Sequence, residues 1–367
     1  MKYLFKPIKR INSSLKIVLS IGGILKTRKV IILSSLLVFL LISCKHNPFE
    51  VSAPSPPGKR NYVWTLDTLQ SPFNNFSGLW GSSPNDVWTV GQGGDDNDRL
   101  WHFDGTKWSP YVKEPIGCYG ISLIGFSQNN VWMVGEEGRI WHYDGNMWKE
   151  NFIYKQQDGY ATIIDVWGRN STDIYAVGLI NLASVNEQRG FILHYDGNQW
   201  KEYYKANYIS QFNSVLGDNE NVFITGIRLV YKPKNLIVVD SAYISKITNN
   251  NLHKVYNVAT NINYNLALVG NKIHFVIDQS LYRYSFGAME HIMDFTVNNF
   301  AAGVYGRNYN DIFIRMFDGI CHYNGTDIVY LYKFNSNFSF YSGRPMDFGN
   351  AIFFNIQGTR NLRGFLK

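Results

Sequence analysis

The side chains best able to do chemistry recur at matching places along the chain. His102, His142, His194 and His322 each stand two residues before an Asp-Gly or Asn-Gly step, at Asp104, Asp144, Asp196 and Asn324. Imidazoles and carboxylates in this number are the raw material of a metal site or an acid–base pair. Both chemistries need the groups to converge. Equivalent positions of a repeat are splayed apart by the repeat itself, so the expectation is no metal, no cofactor and no catalytic set. The histidines are then read as packed or hydrogen bonded between repeats, and Asp104, Asp144 and Asp196 as hairpin residues whose carboxylates cap backbone N–H groups.

The elements that position these residues are legible as internal repetition. Trp80-Gly-Ser-Ser-Pro-Asn-Asp-Val-Trp-Thr-Val-Gly91 recurs as Ile124-Gly-Phe-Ser-Gln-Asn-Asn-Val-Trp-Met-Val-Gly135 and as Trp167-Gly-Arg-Asn-Ser-Thr-Asp-Ile-Tyr-Ala-Val-Gly178. Each is followed by a second marker, His102-Phe-Asp-Gly-Thr-Lys-Trp108, His142-Tyr-Asp-Gly-Asn-Met-Trp148 and His194-Tyr-Asp-Gly-Asn-Gln-Trp200. Anchored at Asp86, Asn130, Asp173, Asn221, Lys272, Asp311 and Asn350, the copies lie 44, 43, 48, 51, 39 and 39 residues apart. A period near 40–45 residues is that of four-stranded propeller blades.

In the second copy the strands A to D are expected at 119–124, 131–135, 139–143 and 147–152, each rich in β-branched or aromatic residues and bounded by turn formers. The fold class is therefore all-β, a seven-bladed β-propeller, with six or eight blades as the less favoured counts. The last copy offers strands at 351–355 and 362–366 and then ends, short of a strand D. Residues 61–69, with Trp64 in the place of Trp148, resemble that missing strand, so the N-terminal strand is expected to join the last blade and close the ring.

In a propeller the B–C and D–A loops share one face, and three copies swell there, at 92–99, 179–190 and 228–242. The binding-face candidates are accordingly Asp95, Asp96, Asp98, Glu187, Arg189, Lys232 and Lys234. Arg169 and Arg307, in the A–B turns of the opposite face, are read as surface residues. No spacing marks the close carboxylate pair of a glycosidase or a phosphate-cradling glycine loop.

Charge excludes one class of partner. The chain carries 35 Lys and Arg against 28 Asp and Glu, but residues 1–43 hold eight of the bases and no acid, leaving 27 against 28. A near-neutral remainder lacks the basic stripe that binds phosphate backbones, so nucleic acid is not an expected partner. Lys26-Thr-Arg-Lys29, the apolar run 30–42 and then Cys44 follow the order of a signal peptide. The run is too short to span a bilayer comfortably.

Leu41-Ile42-Ser43-Cys44 resembles the lipobox of bacterial lipoproteins, which implies lipidation of Cys44 as the new N-terminus. The domain expectation is a signal peptide at 1–43, a flexible Pro-containing tether at 44–60 and a propeller at 61–367. The remaining cysteines, Cys118 and Cys321, fall in distant copies and are not expected to form a disulfide.

The Gly-Ser-Ser-Pro-Asn-Asp-Val-Trp and His-Tyr-Asp-Gly-x-x-Trp markers resemble those of repeat propeller lipoproteins of Gram-negative outer membranes. They are more distantly similar to the Asp-box propellers of the sialidase-like group, although Asp144 and Trp148 are one residue closer than that pattern has them. The resemblance implies a monomeric binding or scaffolding module, lipid-anchored at the outer membrane, with a glycan or protein ligand. The alternatives are a carbohydrate-active enzyme of Asp-box type and an envelope-assembly partner.

Overall fold

The computed structural model describes residues 55–71, 75–93, 98–112, 119–185, 187–232, 236–249, 251–258, 262–335, 343–356 and 358–367. Cys44, Asp95, Asp96, Cys118 and Lys234 lie outside the described residues. The fold is all-β, a propeller, and its described strands form seven four-stranded antiparallel groups, consistent with seven blades. Five groups are separate sheets with the inner-to-outer order A-B-C-D. The fifth and sixth are joined into one eight-stranded sheet by a short parallel contact, Leu268 with Tyr305 and Val269 with Gly306.

Blade two shows how local sequence makes the unit. Strands A (Gly120–Ser127), B (Asn130–Gly135), C (Arg139–Tyr143) and D (Trp148–Ile153) fall where the repeat places them. The C–D hairpin turns through Gly145 at φ 93°, and the equivalent Gly105, Gly197 and Gly325 lie at 94°, 91° and 94°. That region is open to glycine and costly for a side chain. Asp144 Oδ1 accepts from the N–H groups of Asn146 and Met147, at 2.9 and 3.1 Å, and so caps the turn. Asp104 and Asp196 do the same, as expected.

Blades adhere through aromatic residues of strand B set against strands C and D of the next blade. Trp88 lies 5.1 Å from Tyr143 and 5.7 Å, edge-on, from Trp148; Trp132 repeats this against Tyr195 and Trp200 at 4.9 and 5.7 Å. Such rings bury a large apolar area and add specific edge-to-face attraction.

The ring closes as the sequence implied. The N-terminal strand (Tyr62–Thr68) pairs antiparallel with Arg360–Leu366 and supplies strand D of the last blade. Trp64 sits opposite Gly364, where any Cβ would fall 2.6 Å from the indole ring. On the far side of that blade Phe353 packs on Phe103 of blade one at 5.9 Å, and Asn355 Nδ2 donates to Gly78 O at 3.1 Å. Residues 55–60, read from the sequence as the end of a tether, are held to blade six: Gly58 N donates to Asn310 O, and Asn310 Nδ2 to Ser55 O, at 2.8 and 2.7 Å.

Candidate functional site

The recurring histidines are structural, but their partners differ from the expectation. Each Nε2 meets the first residue of strand B in its own blade: His102 with Asp86 at 2.6 Å, His142 with Asn130 at 3.0 Å, His194 with Asp173 and His322 with Asp311, both at 2.7 Å. The aromatic residue two places after that anchor stacks on the imidazole, at 4.2 Å for Trp88 and 4.3 Å for Trp132. The hydrogen bond therefore lies within a blade rather than between blades, because strands B and C are paired so that Trp88 faces His102 and Trp132 faces His142. Among the described residues no three His, Cys, Asp or Glu side chains are placed to hold a metal ion.

Arg169 and Arg307 are corrected as well. Both are clasps between blades rather than surface groups. Arg169 pairs with Asp173 and its Nε donates to Asp218 O of blade four at 3.2 Å. Arg307 grips Asp347 of the last blade with Nε and Nη2, at 2.8 and 2.6 Å, and donates to Tyr62 OH at 2.9 Å. Burial works against the Arg307 charge, but Asp347 and Tyr62 outweigh it and raise its pKa above the ordinary value.

The B–C insertions of blades three and four do not form loops. In blade three they lengthen strands B (Asp173–Leu182) and C (Glu187–Tyr195) until Leu182 faces Glu187; in blade four, strands B (Val222–Lys232) and C (Leu236–Thr248) run on until Lys232 faces Leu236. Two β-ribbons thus stand on the B–C and D–A face. The sequence-derived candidates do not converge there. Glu187 and Arg189 pair with each other, two residues apart on one strand. Lys232 ends the neighbouring ribbon, exposed. Asp98, in blade one, uses its backbone oxygen to accept from Ser71 Oγ and Trp101 Nε1, at 3.0 and 2.9 Å.

What repeat reasoning missed is the set at the axis. Strand A of each blade lines the channel, and Asp165 of blade three is its hub. One carboxylate oxygen accepts from Ser122 Oγ of blade two at 3.0 Å and from Val166 N at 2.9 Å. The other accepts from Ser214 Oγ and Val215 N of blade four, both at 2.9 Å, and from Arg344 Nη2 at 2.5 Å. Arg344 enters from the last blade, on the opposite side of the ring, and also donates to Val215 O at 2.5 Å. Asp165 carried no repeat signature, since the third copy is legible mainly in its strands B and C.

Nearer the mouth, Gln211 Nε2 donates to Gln188 Oε1, and Gln188 Nε2 to Asn181 Oδ1 at 2.9 Å. Tyr160, beside Asn181 in the sheet, leaves 59% of its surface exposed. Away from the axis, a shallow pocket of about 310 Å³ at blade six has Asp318, Tyr330, Lys333 and Asn299 at its rim and Cys321 in its wall. Burial raises the Cys321 thiol to about 11, which keeps it protonated and unreactive.

No protein-family model and no curated protein sequence matches the chain. Solved structures do. A catalytically inactive virginiamycin B lyase from Staphylococcus aureus with quinupristin aligns over 83% of this chain and all of its own, with a TM-score of 0.60 at 15% identity. YCF48 bound to D1 peptide aligns over 85% of this chain and all of its own, with a TM-score of 0.54 at 15% identity. YCF48 from Cyanidioschyzon merolae aligns over 83% of this chain and 99% of its own, with a TM-score of 0.57 at 13% identity. At these identities the likeness is one of fold: the chain is built as these β-propeller repeat proteins are.

Proposed function

We propose that this propeller is a non-catalytic binding or scaffolding module, tethered to the outer membrane through a lipid on Cys44, which receives a glycan or a protein on its B–C and D–A face. The observation that carries the reading is the pair of lengthened ribbons on blades three and four, which enlarge that face while Arg344 and Asp165 bridge the channel below it. An ion pair saturated by backbone and hydroxyl donors is suited to holding the ring together; it offers no carboxylate free to move a proton.

Propellers of this shape hold ligands as different as quinupristin and a D1 peptide, which supports recognition as a role the fold can serve. Ser55 lies beside Asn310, in the A–B turn of blade six, which is on the face opposite the ribbons.

Two measurements test the reading. Detergent phase partitioning of cells expressing the chain is expected to place it with the membrane fraction and to release it on Cys44→Ser. Purified protein is expected to retain glycans or proteins without altering them. Hydrolysis of any member of a glycan panel, or an unchanged distribution on Cys44→Ser, overturns the corresponding half.

A further inference from the structure

We infer that the channel mouth between blades three and four is a carbohydrate subsite, in which Tyr160 stacks on a sugar ring while Asn181, Gln188 and Gln211 hold its hydroxyl groups. The inference rests on the binding role of this face and names its ligand class.

Strand register puts the residues together. In blade three Tyr160 lies directly opposite Asn181, and Asn181 directly opposite Gln188. Directly opposed residues of an antiparallel pair share one side of the sheet, so the three side chains form a row. Two residues further in, the same side carries Gly190, where an added Cβ would fall 2.8 Å from the ring of Phe212 in blade four. The row therefore faces the cleft between the two blades, above its apolar floor. Gln211, on strand A of blade four (Ser210–Gly217), completes it by donating to Gln188.

The chemistry of the row is neutral and bifunctional. Each amide offers two N–H donors and an oxygen with two acceptor sites. The bonds from Gln211 to Gln188 and from Gln188 to Asn181 fix the amide orientations and still leave donors and acceptors at both ends. Neighbouring hydroxyls of a sugar, each a donor and an acceptor, match such a set, and the C–H face of a pyranose matches an exposed aromatic ring. A brace between blades would require only the Gln188–Gln211 bond. It gives no reason for a tyrosine 59% exposed at the next place in the row.

The test compares the purified full chain in detergent with Tyr160→Ala and Gln188→Ala on arrays of neutral oligosaccharides and of peptides, with melting temperatures recorded. Neutral oligosaccharides are expected to bind, and Tyr160→Ala to lower affinity about tenfold or more with an unchanged melting temperature. Tyr160 is 59% exposed, so this variant is expected to fold even if Gln188→Ala loosens the cleft. Glycans bound equally by Tyr160→Ala overturn the subsite. Peptides bound in place of glycans overturn the ligand class and leave the binding role standing. No ligand on either array overturns both.

Discussion

A buried histidine records its surroundings as a pH dependence. His274, fully buried, has its Nδ1 at 3.0 Å from Lys272 O, so that nitrogen carries the proton and Nε2 accepts from Tyr309 OH at 2.8 Å. Burial lowers the pKa of His274 below 6.5, and burial does the same for His142. The unfolded chain therefore binds more protons than the folded one between the depressed values and about 6.5. Stability is full above that window and is lost as pH falls through it, so the urea midpoint is expected to drop as the pH is taken below about 6.5. His274→Phe should shrink the drop while lowering stability at neutral pH, and an acid limb as steep as before would contradict the assignment. The histidines at 102, 142, 194 and 322 were visible in the sequence as a recurring set. Their partners were not, because the pairing of strands B and C, which a repeat alignment does not contain, decides whether Asp173 or a neighbouring blade meets His194.

At the scale of the strand, the order A to D and the borrowed last strand were readable because Asp-Gly or Asn-Gly turns and an Asp/Asn-Val/Ile-aromatic step punctuate copies one, two, three and six. The ribbons were not readable. Residues 228–242 look like an insertion when aligned with shorter copies, yet Leu229, Val230 and Tyr231 face Val239, Val238 and Ile237 as strand partners. Strand-forming residues on both arms were the available signal. The borrowed strand carries the clearest energetic expectation. Tyr62, Trp64 and Leu66 pack on Phe313, Phe354 and Leu362, and Asp67 holds Arg363 at 2.7 Å. Deleting residues 61–68 strips that layer and opens an edge on the last blade, with an expected loss of about 5 kcal/mol, within the range of a whole domain's stability. Trp64→Ala alone is expected to cost about 3 kcal/mol. A cooperative unfolding transition at the original temperature after the deletion would show that the ring does not depend on its borrowed strand.

A ring of blades touching only their neighbours has a weakness that no single blade has: it can open at any seam, and each seam resists alone. Arg344 changes that arithmetic by reaching from the last blade across the channel to blades three and four. The two ends of this tie are not equivalent. Asp165 accepts from two hydroxyls and two backbone N–H groups besides Arg344, and its side chain is 14% exposed; the Arg344 side chain is 34% exposed. Removing the arginine leaves the carboxylate with four of its donors and costs the screened ion pair together with part-exposed hydrogen bonds to Val166 O and Val215 O, about 1–2 kcal/mol in all. Removing the carboxylate orphans several donors in a site closed to most water, at about 3 kcal/mol. Asp165→Ala is thus expected to destabilise the propeller more than Arg344→Ala, and the double variant to fall short of the sum, since the two share one interaction. Equal costs, or strict additivity, measured by urea unfolding would mean that the axial pair holds nothing across the ring and that the seams alone keep it shut.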